Sequence, residues 1–335
     1  MPQQRMIQAI RDALIEELER DDLVCVIGDG LPKGGSFGEF RDLLQRFGPR
    51  RLTPVMPLSE MAFVGMAVGA AMTGLRPIAY LAFMDFLTLA MDPLVHHAGL
   101  AHHIFGGQLR APVTVMTTYG TGRQTGPQHS KSLEAWVAHA AGVKVVMPGT
   151  PADAKGLLKS AIRSDDPVVF AYPRMSLGHS GDVPDGEHLV PIGRADVKLS
   201  GRDVTLVTWG AMLPASLAAA EIAARHGVAV EVIDLRTIVP WDVDAVLGSV
   251  ARTGRLVIAH EAAKGFGPGA EIAATVAEEA IHSLDAPILR VGGRNVPIPF
   301  APVLERAWTP QVEQIVAAVG SVTGTALGAD IDGRR

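Results

Sequence analysis

The chain is expected to fold as an α/β protein with two doubly wound domains, for three reasons. Short apolar runs alternate with helix-length segments in both halves. Hydrophobic residues make up 48% of the 335 positions and aromatic ones only 5%, which suits small-residue helices laid on buried sheets. Between Met175 and Arg194, Gly, Pro, Asp, His and Ser crowd together without periodicity, as in a linker. The expected boundaries are a first domain at 1–174, a linker at 175–194, a second domain at 195–323 and a mobile tail at 324–335.

The chain opens with a helix over Met6–Arg20, where Ile7, Ile10, Leu14 and Leu18 share a face. Leu23–Gly28 is a continuous apolar strand of the kind buried on both sides. The glycine-rich loop after it, GDGLPKGGSFG, matches neither dinucleotide nor P-loop spacing and is read as a loop at a strand's carboxyl end. A helix follows at Phe40–Phe47. Pro57–Ala71 then reads as a helix headed by Glu60, with Ser59 as its start signal and small residues throughout, buried all round. Arg76–Phe83 is a strand, Met84–Leu100 a helix and Pro112–Gly120 a strand ending in a polar loop that runs to His129. A further helix is expected from about Ser130, a strand at Val143–Met147, a helix at Pro151–Ile162 and a strand at Pro167–Tyr172. The second half offers strands at Val204–Thr208, Val228–Leu235, Arg255–His260 and Pro287–Val291, with helices at Leu213–His226, Val243–Ala251 and Gly269–Ser283 between them.

Composition narrows the function. A net charge of -5 gives no electrostatic reason to expect nucleic acid or an anionic membrane as a partner. The single cysteine, Cys25, precludes an internal disulfide and any multi-cysteine metal site. There is no signal-peptide pattern and no apolar run of membrane-spanning length, so a cytoplasmic protein is expected. His96, His97, His102 and His103 form two adjacent pairs that do not share a helix face, and no acid or cysteine cluster accompanies them.

Two positions could carry chemistry. Glu60 is a carboxylate at the head of an apolar helix, a costly placement without a partner. Its plainer role would be capping its helix or pairing with an arginine. His129 lies in a flexible loop and could move protons near neutral pH, though a lone loop histidine is more often a surface or capping residue. Both fall at strand-to-helix junctions, where open α/β sheets present ligand sites.

Six segments together carry a family likeness: PLSEMAFVGMAVGAAMTGLRPI, FMDFLTLAMDPL, GPQHSKSLEAW, GVKVVMPGTPADAKGLLKSAIRSDDPVVF, VIDLRTIVPWD and HEAAKGFGPGAEIA. In these the chain resembles the beta subunit of the thiamine-diphosphate-dependent first, decarboxylating component of 2-oxo acid dehydrogenase complexes, of the pyruvate, branched-chain or acetoin type, a transketolase-like group. The resemblance implies a pyrimidine-binding first domain and a transketolase-type carboxy-terminal domain. It assigns Glu60 to a ring nitrogen of the cofactor's aminopyrimidine, Phe86 to packing on that ring, and His129 to proton transfer or acyl transfer to a lipoyl group. It places a structural potassium site at Val113, Ala161, Ile162, Ser164 and Asp166, mostly through backbone carbonyls. It also implies an alpha subunit in an alpha2beta2 heterotetramer, a lipoyl acyltransferase core as a further partner, and a small 2-oxo acid or acyloin as substrate.

In the wider family a GDG motif with a downstream Asn holds the diphosphate and its Mg2+. Gly28-Asp29-Gly30 is present here, but the only Asn is Asn295, in the other domain. The resemblance therefore implies that the alpha subunit supplies most of the Mg2+ and diphosphate half. The alternatives are the carboxy-terminal half of a split transketolase and a non-catalytic assembly scaffold. A nucleotide-binding module is the least favoured, since no dinucleotide fingerprint follows a strand.

Overall fold

The computed structural model describes residues 2–327 and divides them into two units. The first holds residues up to Gly120, Gln128–Ile192 and Ile238–Pro240; the second holds Thr121–Pro127, Gly193–Thr237 and the chain from Trp241 on.

In the first unit the elements are β1 (Gln3–Arg5), α1 (Met6–Arg20), β2 (Val24–Gly28), α2 (Leu43–Phe47), α3 (Glu60–Met72), β3 (Arg76–Phe83), α4 (Ala101–Ile104), β4 (Thr114–Tyr119), α5 (Glu134–Ala138), β5 (Lys144–Val146), α6 (Pro151–Arg163), β6 (Val168–Pro173) and β7 (Ser180–Asp182). Strands β2, β3, β4, β6 and β5 lie side by side in that order, all in parallel pairs. The strands are buried because helices cover the sheet, and α1 packs on α6. An ionic lattice stitches these two helices. Lys155 and Lys159, both nearly inaccessible, reach the Glu16 carboxylate at 2.7 Å, and Arg163 reaches the fully buried Glu17 at 2.6 Å. Glu187 joins it through Lys159 and Arg163. Gly28 ends β2 where an added Cβ would come within 2.6 Å of the Tyr80 carbonyl oxygen, so only glycine allows β2 and β3 this close.

The second unit contains β8 (Asp196–Leu199), β9 (Val204–Thr208), α7 (Leu213–Arg225), β10 (Val230–Asp234), α8 (Val243–Thr253), β12 (Leu256–Ala263), α9 (Pro268–Ala280), β13 (Leu289–Gly293), α10 (Pro302–Trp308) and α11 (Val312–Thr323). Between β10 and α8 the chain supplies β11 (Thr237–Val239), whose Ile238 and Val239 belong to the first unit and which forms the edge of the first sheet beside β5. The second sheet runs β13-β12-β9-β10-β8, parallel except for the antiparallel edge strand β8. The loop Thr121–Pro127 belongs here because two buried acids hold it. Glu261 accepts from the Thr121 amide at 2.7 Å and its hydroxyl at 2.6 Å, and Glu305 accepts from the Gly122 amide at 2.9 Å.

Four expectations need correction. Met84–Leu100 is not one α-helix: Met84–Ala90 is a 3-10 segment and Asp92–Ala98 a π-type turn. Pro93 interrupts the regular backbone ladder there. Helix α3 is not buried all round, since Met61 is 58% and Met66 46% exposed, and the Ser59 side chain makes no cap. Met175–Ile192 lies within the first unit, with β7 paired antiparallel to β1. Of the tail, Thr325 bonds back to Gly320 and Leu327 packs on the second core, while 328–335 lie outside the described residues.

Candidate functional site

The first unit collects aromatic rings at the carboxyl ends of its strands. β3 ends at Phe83, and the 3-10 segment behind it carries Asp85 and Phe86. β4 leads to Gly120, and β6 leads to Arg174. The His129 ring meets Phe83 edge-to-face at 5.0 Å and Phe86 at 5.3 Å, and Phe83 and Phe86 meet each other in the same way at 5.8 Å. Phe37, from the glycine-rich loop, closes on Phe83 at 5.9 Å. Such geometry sets the positive ring edge of one against the negative face of the next.

Two charged side chains fix the histidine loop. Arg174, only 2% exposed, donates to the His129 carbonyl at 2.8 Å and the Gly120 carbonyl at 2.9 Å, with its guanidinium 5.4 Å from the Phe83 ring centre. The buried Asp85 accepts from the Lys131 ammonium at 3.1 Å and also faces the Lys131 amide. Asp85 and Lys131 neighbour Phe86 and His129 closely in sequence, so this pair holds the two rings in register. Neither Arg174 nor Asp85 was found from the sequence, because their partners lie far along the chain.

A second buried acid shapes the wall behind Phe37. Glu39 is fully buried and accepts from the hydroxyls of Tyr172 at 2.7 Å and Tyr80 at 3.1 Å, and from the Phe37 amide at 2.9 Å. Burial beside this carboxylate pushes both phenol pKa values far up, so both tyrosines stay protonated donors. The loop that looked like a phosphate cradle is thus organised around an acid. Asp29 of its GDG sequence is exposed.

Glu60 is the first residue of α3, half-buried, and α3 packs against both β3 and the segment that carries Phe86. Its carboxylate has no hydrogen bond or ion pair among the described residues. The structure therefore joins Phe86 to His129 and sets Glu60 on the adjoining helix with its acceptor oxygens uncommitted.

At the positions expected for potassium, the Val113 carbonyl accepts from the Val168 amide and the Ala161 carbonyl from the Ser164 amide. The Ile162 and Ser164 carbonyls accept from Arg76 at 3.1 and 3.0 Å. The Asp166 carboxylate is shared by Lys144 at 2.9 Å and Arg110 at 3.4 Å. A cation there would find only second lone pairs on carbonyls and a carboxylate already paired, so these contacts give it no independent support. Among the described residues no group of three or more His, Cys, Asp or Glu side chains is placed to hold a metal, and no helix is long and apolar enough to cross a membrane.

Known proteins resemble this chain along both units. The transketolase pyrimidine-binding domain family matches residues 3–179, and the transketolase C-terminal domain family matches residues 193–315. The pyruvate dehydrogenase E1 component subunit beta of Rhizobium meliloti is 42% identical over 94% of this chain and 69% of its own length. The beta subunit of acetoin:2,6-dichlorophenolindophenol oxidoreductase of Cupriavidus necator is 40% identical over 92% of this chain and 94% of its own. The 2-oxoisovalerate dehydrogenase subunit beta of Bacillus subtilis is 38% identical over 93% and 96%. Among solved structures, an inactive beta4 tetramer of a split-gene transketolase superposes with a TM-score of 0.78 over 95% of this chain and 98% of that one. At 23% identity that likeness bears on the fold alone.

Proposed function

We infer the function from the family to which this chain belongs, the transketolase-like beta subunits of thiamine-diphosphate-dependent 2-oxo acid and acetoin dehydrogenases. In that reading the chain contributes the pyrimidine half of a shared cofactor site, and an alpha subunit contributes the diphosphate and Mg2+ half. The residues present fit an aminopyrimidine: an aromatic wall at Phe86, and a half-buried carboxylate on Glu60 that no other described residue engages. Thiamine diphosphate, when bound, supplies the nucleophilic carbon and electron sink for cleaving the bond beside a substrate carbonyl.

The chain's own side chains would do the following. Glu60 shares a proton with the pyrimidine ring nitrogen and so orients that ring. Phe86 packs against it and excludes water. His129 presents an imidazole whose backbone is clamped by Arg174, ready to deliver or accept a proton at the substrate oxygen or at an incoming lipoyl sulfur. The substrate is a 2-oxo acid or an acyloin, and the acyl acceptor a lipoyl group on an acyltransferase core. The exposed methionines of α3 support assembly with another chain, because a helix apolar on every side needs cover. An alpha2beta2 heterotetramer in the cytoplasm completes the proposal.

The observation that carries this reading is the uncommitted Glu60 beside the clamped Phe86–His129 pair, within a chain matched along both units. The test is co-expression with an alpha subunit, followed by decarboxylation assays on pyruvate, branched-chain 2-oxo acids and acetoin. Activity is expected only from the assembled pair. Glu60→Gln should lower kcat by about 10²–10⁴-fold at unchanged thermal stability. Equal turnover by that variant would refute the assignment.

A further inference from the structure

We propose that the second unit carries a separate binding site for a small phosphorylated anion, at the carboxyl ends of β12 and β13, held by Lys264, Arg290 and Arg294. These strands are parallel neighbours, with Ala263 opposite Gly293 at their ends. Lys264 is the first residue after β12 and Arg294 the first after β13. Crevices outside the carboxyl ends of parallel strands are where open α/β sheets bind ligands. A groove of about 490 Å³ opens there, lined by the three cationic residues, Asn295 and the backbone at Gly292. That volume suits a small-molecule ligand.

Charge is the strongest argument. None of the three cations has a carboxylate partner among the described residues. By contrast, Arg163, Arg76, Lys159 and Arg252 each hold an acid at 2.7 Å or less. Three uncompensated positive charges around one concavity, in a chain of net charge -5, create a local field that attracts anions. The guanidinium fork matches phosphate oxygens in pairs, and the ammonium adds a point charge.

The groove is also built before any ligand arrives. Arg290 donates to the Lys264 carbonyl at 2.9 Å, and the Lys264 amide donates to the Gly293 carbonyl at 2.8 Å. A Cβ at Gly292 would come within 3.1 Å of the Lys264 Cα and 3.0 Å of the His260 ring, so the floor admits only glycine without a shift. That ring is fully buried, and both its nitrogens lack a hydrogen-bond partner of acceptable geometry. Close by in sequence, Phe266 is 95% exposed at a backbone φ of 58°, a strained conformation for a bulky residue. Such conformations concentrate at functional sites, and an exposed ring two residues along the chain from Lys264 would suit the base of a nucleotide.

The experiment is calorimetric titration of the full-length chain, alone and assembled with an alpha subunit, using inorganic pyrophosphate and, in a second arm, ADP. One pyrophosphate per chain is expected, with affinity falling as salt rises. Arg290→Gln should weaken it at least tenfold, and Lys264→Gln or Arg294→Gln severalfold, with thermal melting confirming that each variant folds. Glu60→Gln should leave this binding intact, and in the assembled enzyme saturating thiamine diphosphate should not displace the ligand, which separates this site from the proposed cofactor site. ADP binding more tightly than pyrophosphate, and weakened by Phe266→Ala, identifies a nucleotide as the source; equal affinity identifies free phosphate. No binding at millimolar pyrophosphate, or binding unchanged in the triple variant, overturns the proposal. So does a triple variant that loses only its assembly with another protein, which would make the groove a docking face for an acidic segment.

Discussion

At its strand ends the first unit gathers rings on a frame of paired polar groups, whereas the second exposes cations that lack carboxylate partners among the described residues. Arg174 is committed to two carbonyls, Asp85 to Lys131 and Glu39 to two tyrosines, so Phe83, Phe86 and His129 rest on a hydrogen-bonded frame. Lys264, Arg290 and Arg294 have no such acids among the described residues. The same sheet rule places both features, yet they suit opposite guests. A satisfied polar frame can afford a dry, rigid ring cage for a heterocycle. An unsatisfied cationic rim stays wet and waits for an anion.

Substitutions can sharpen that contrast. The largest loss is expected for Arg174→Met, which strands two carbonyl oxygens. Urea unfolding should show a cost of about 3 kcal/mol, and kcat of the assembled enzyme should fall at least about tenfold. Asp85→Asn comes next: it leaves the Lys131 ammonium without its countercharge and should cost about 1–2 kcal/mol, with kcat lowered more than KM is raised. Tyr172→Phe should cost about 1 kcal/mol and leave turnover intact, because Tyr80 still donates to Glu39. Equal turnover in the Asp85 and Tyr172 variants would mean that the frame does not position His129.

The smallest effect lies in the second unit and appears only with pH. Burial pushes the His260 pKa from 6.5 down to about 4, and the charge of Arg290 adds to the shift. The folded protein therefore keeps this ring neutral where the unfolded chain takes up a proton. Its contribution to stability is complete above pH 6.5 and is lost as pH falls towards 4. His260→Phe, which can still stack on Trp209, should flatten the stability profile across that window. An unchanged slope would place the titration elsewhere.

Local pattern revealed the strands well. The strand Arg76–Phe83 matches the sequence expectation at both ends, because a nearly unbroken apolar run follows the turn at Thr73–Gly74. Helix α1 follows from its apolar face, and α6 and α7 lie within one residue of their expected bounds. Burial of α3 was misjudged because composition reports how apolar a helix is, not which chain covers it. The frame of the ring cage was invisible for another reason: Tyr172 and Glu39 lie 133 residues apart, and Asp85 and Lys131 lie 46 apart. Only the fold brings such partners together, so no window of sequence displays them. Glu60, Phe86 and His129 could be singled out together only through the family likeness. Lys264, Arg290 and Arg294 drew no attention because each looks like an ordinary surface cation until the parallel register of β12 and β13 aligns them.

The clasp on Thr121–Pro127 has a consequence for anyone mapping variants of this protein. Glu261 and Glu305 grip that loop, and His129 begins two residues beyond it. A lesion at either glutamate, deep in the carboxy-terminal half, would slacken the tether of the imidazole and could surface in a genetic screen as an apparent chemical defect. Phenotype and primary-sequence distance from His129 should therefore correlate poorly in this chain.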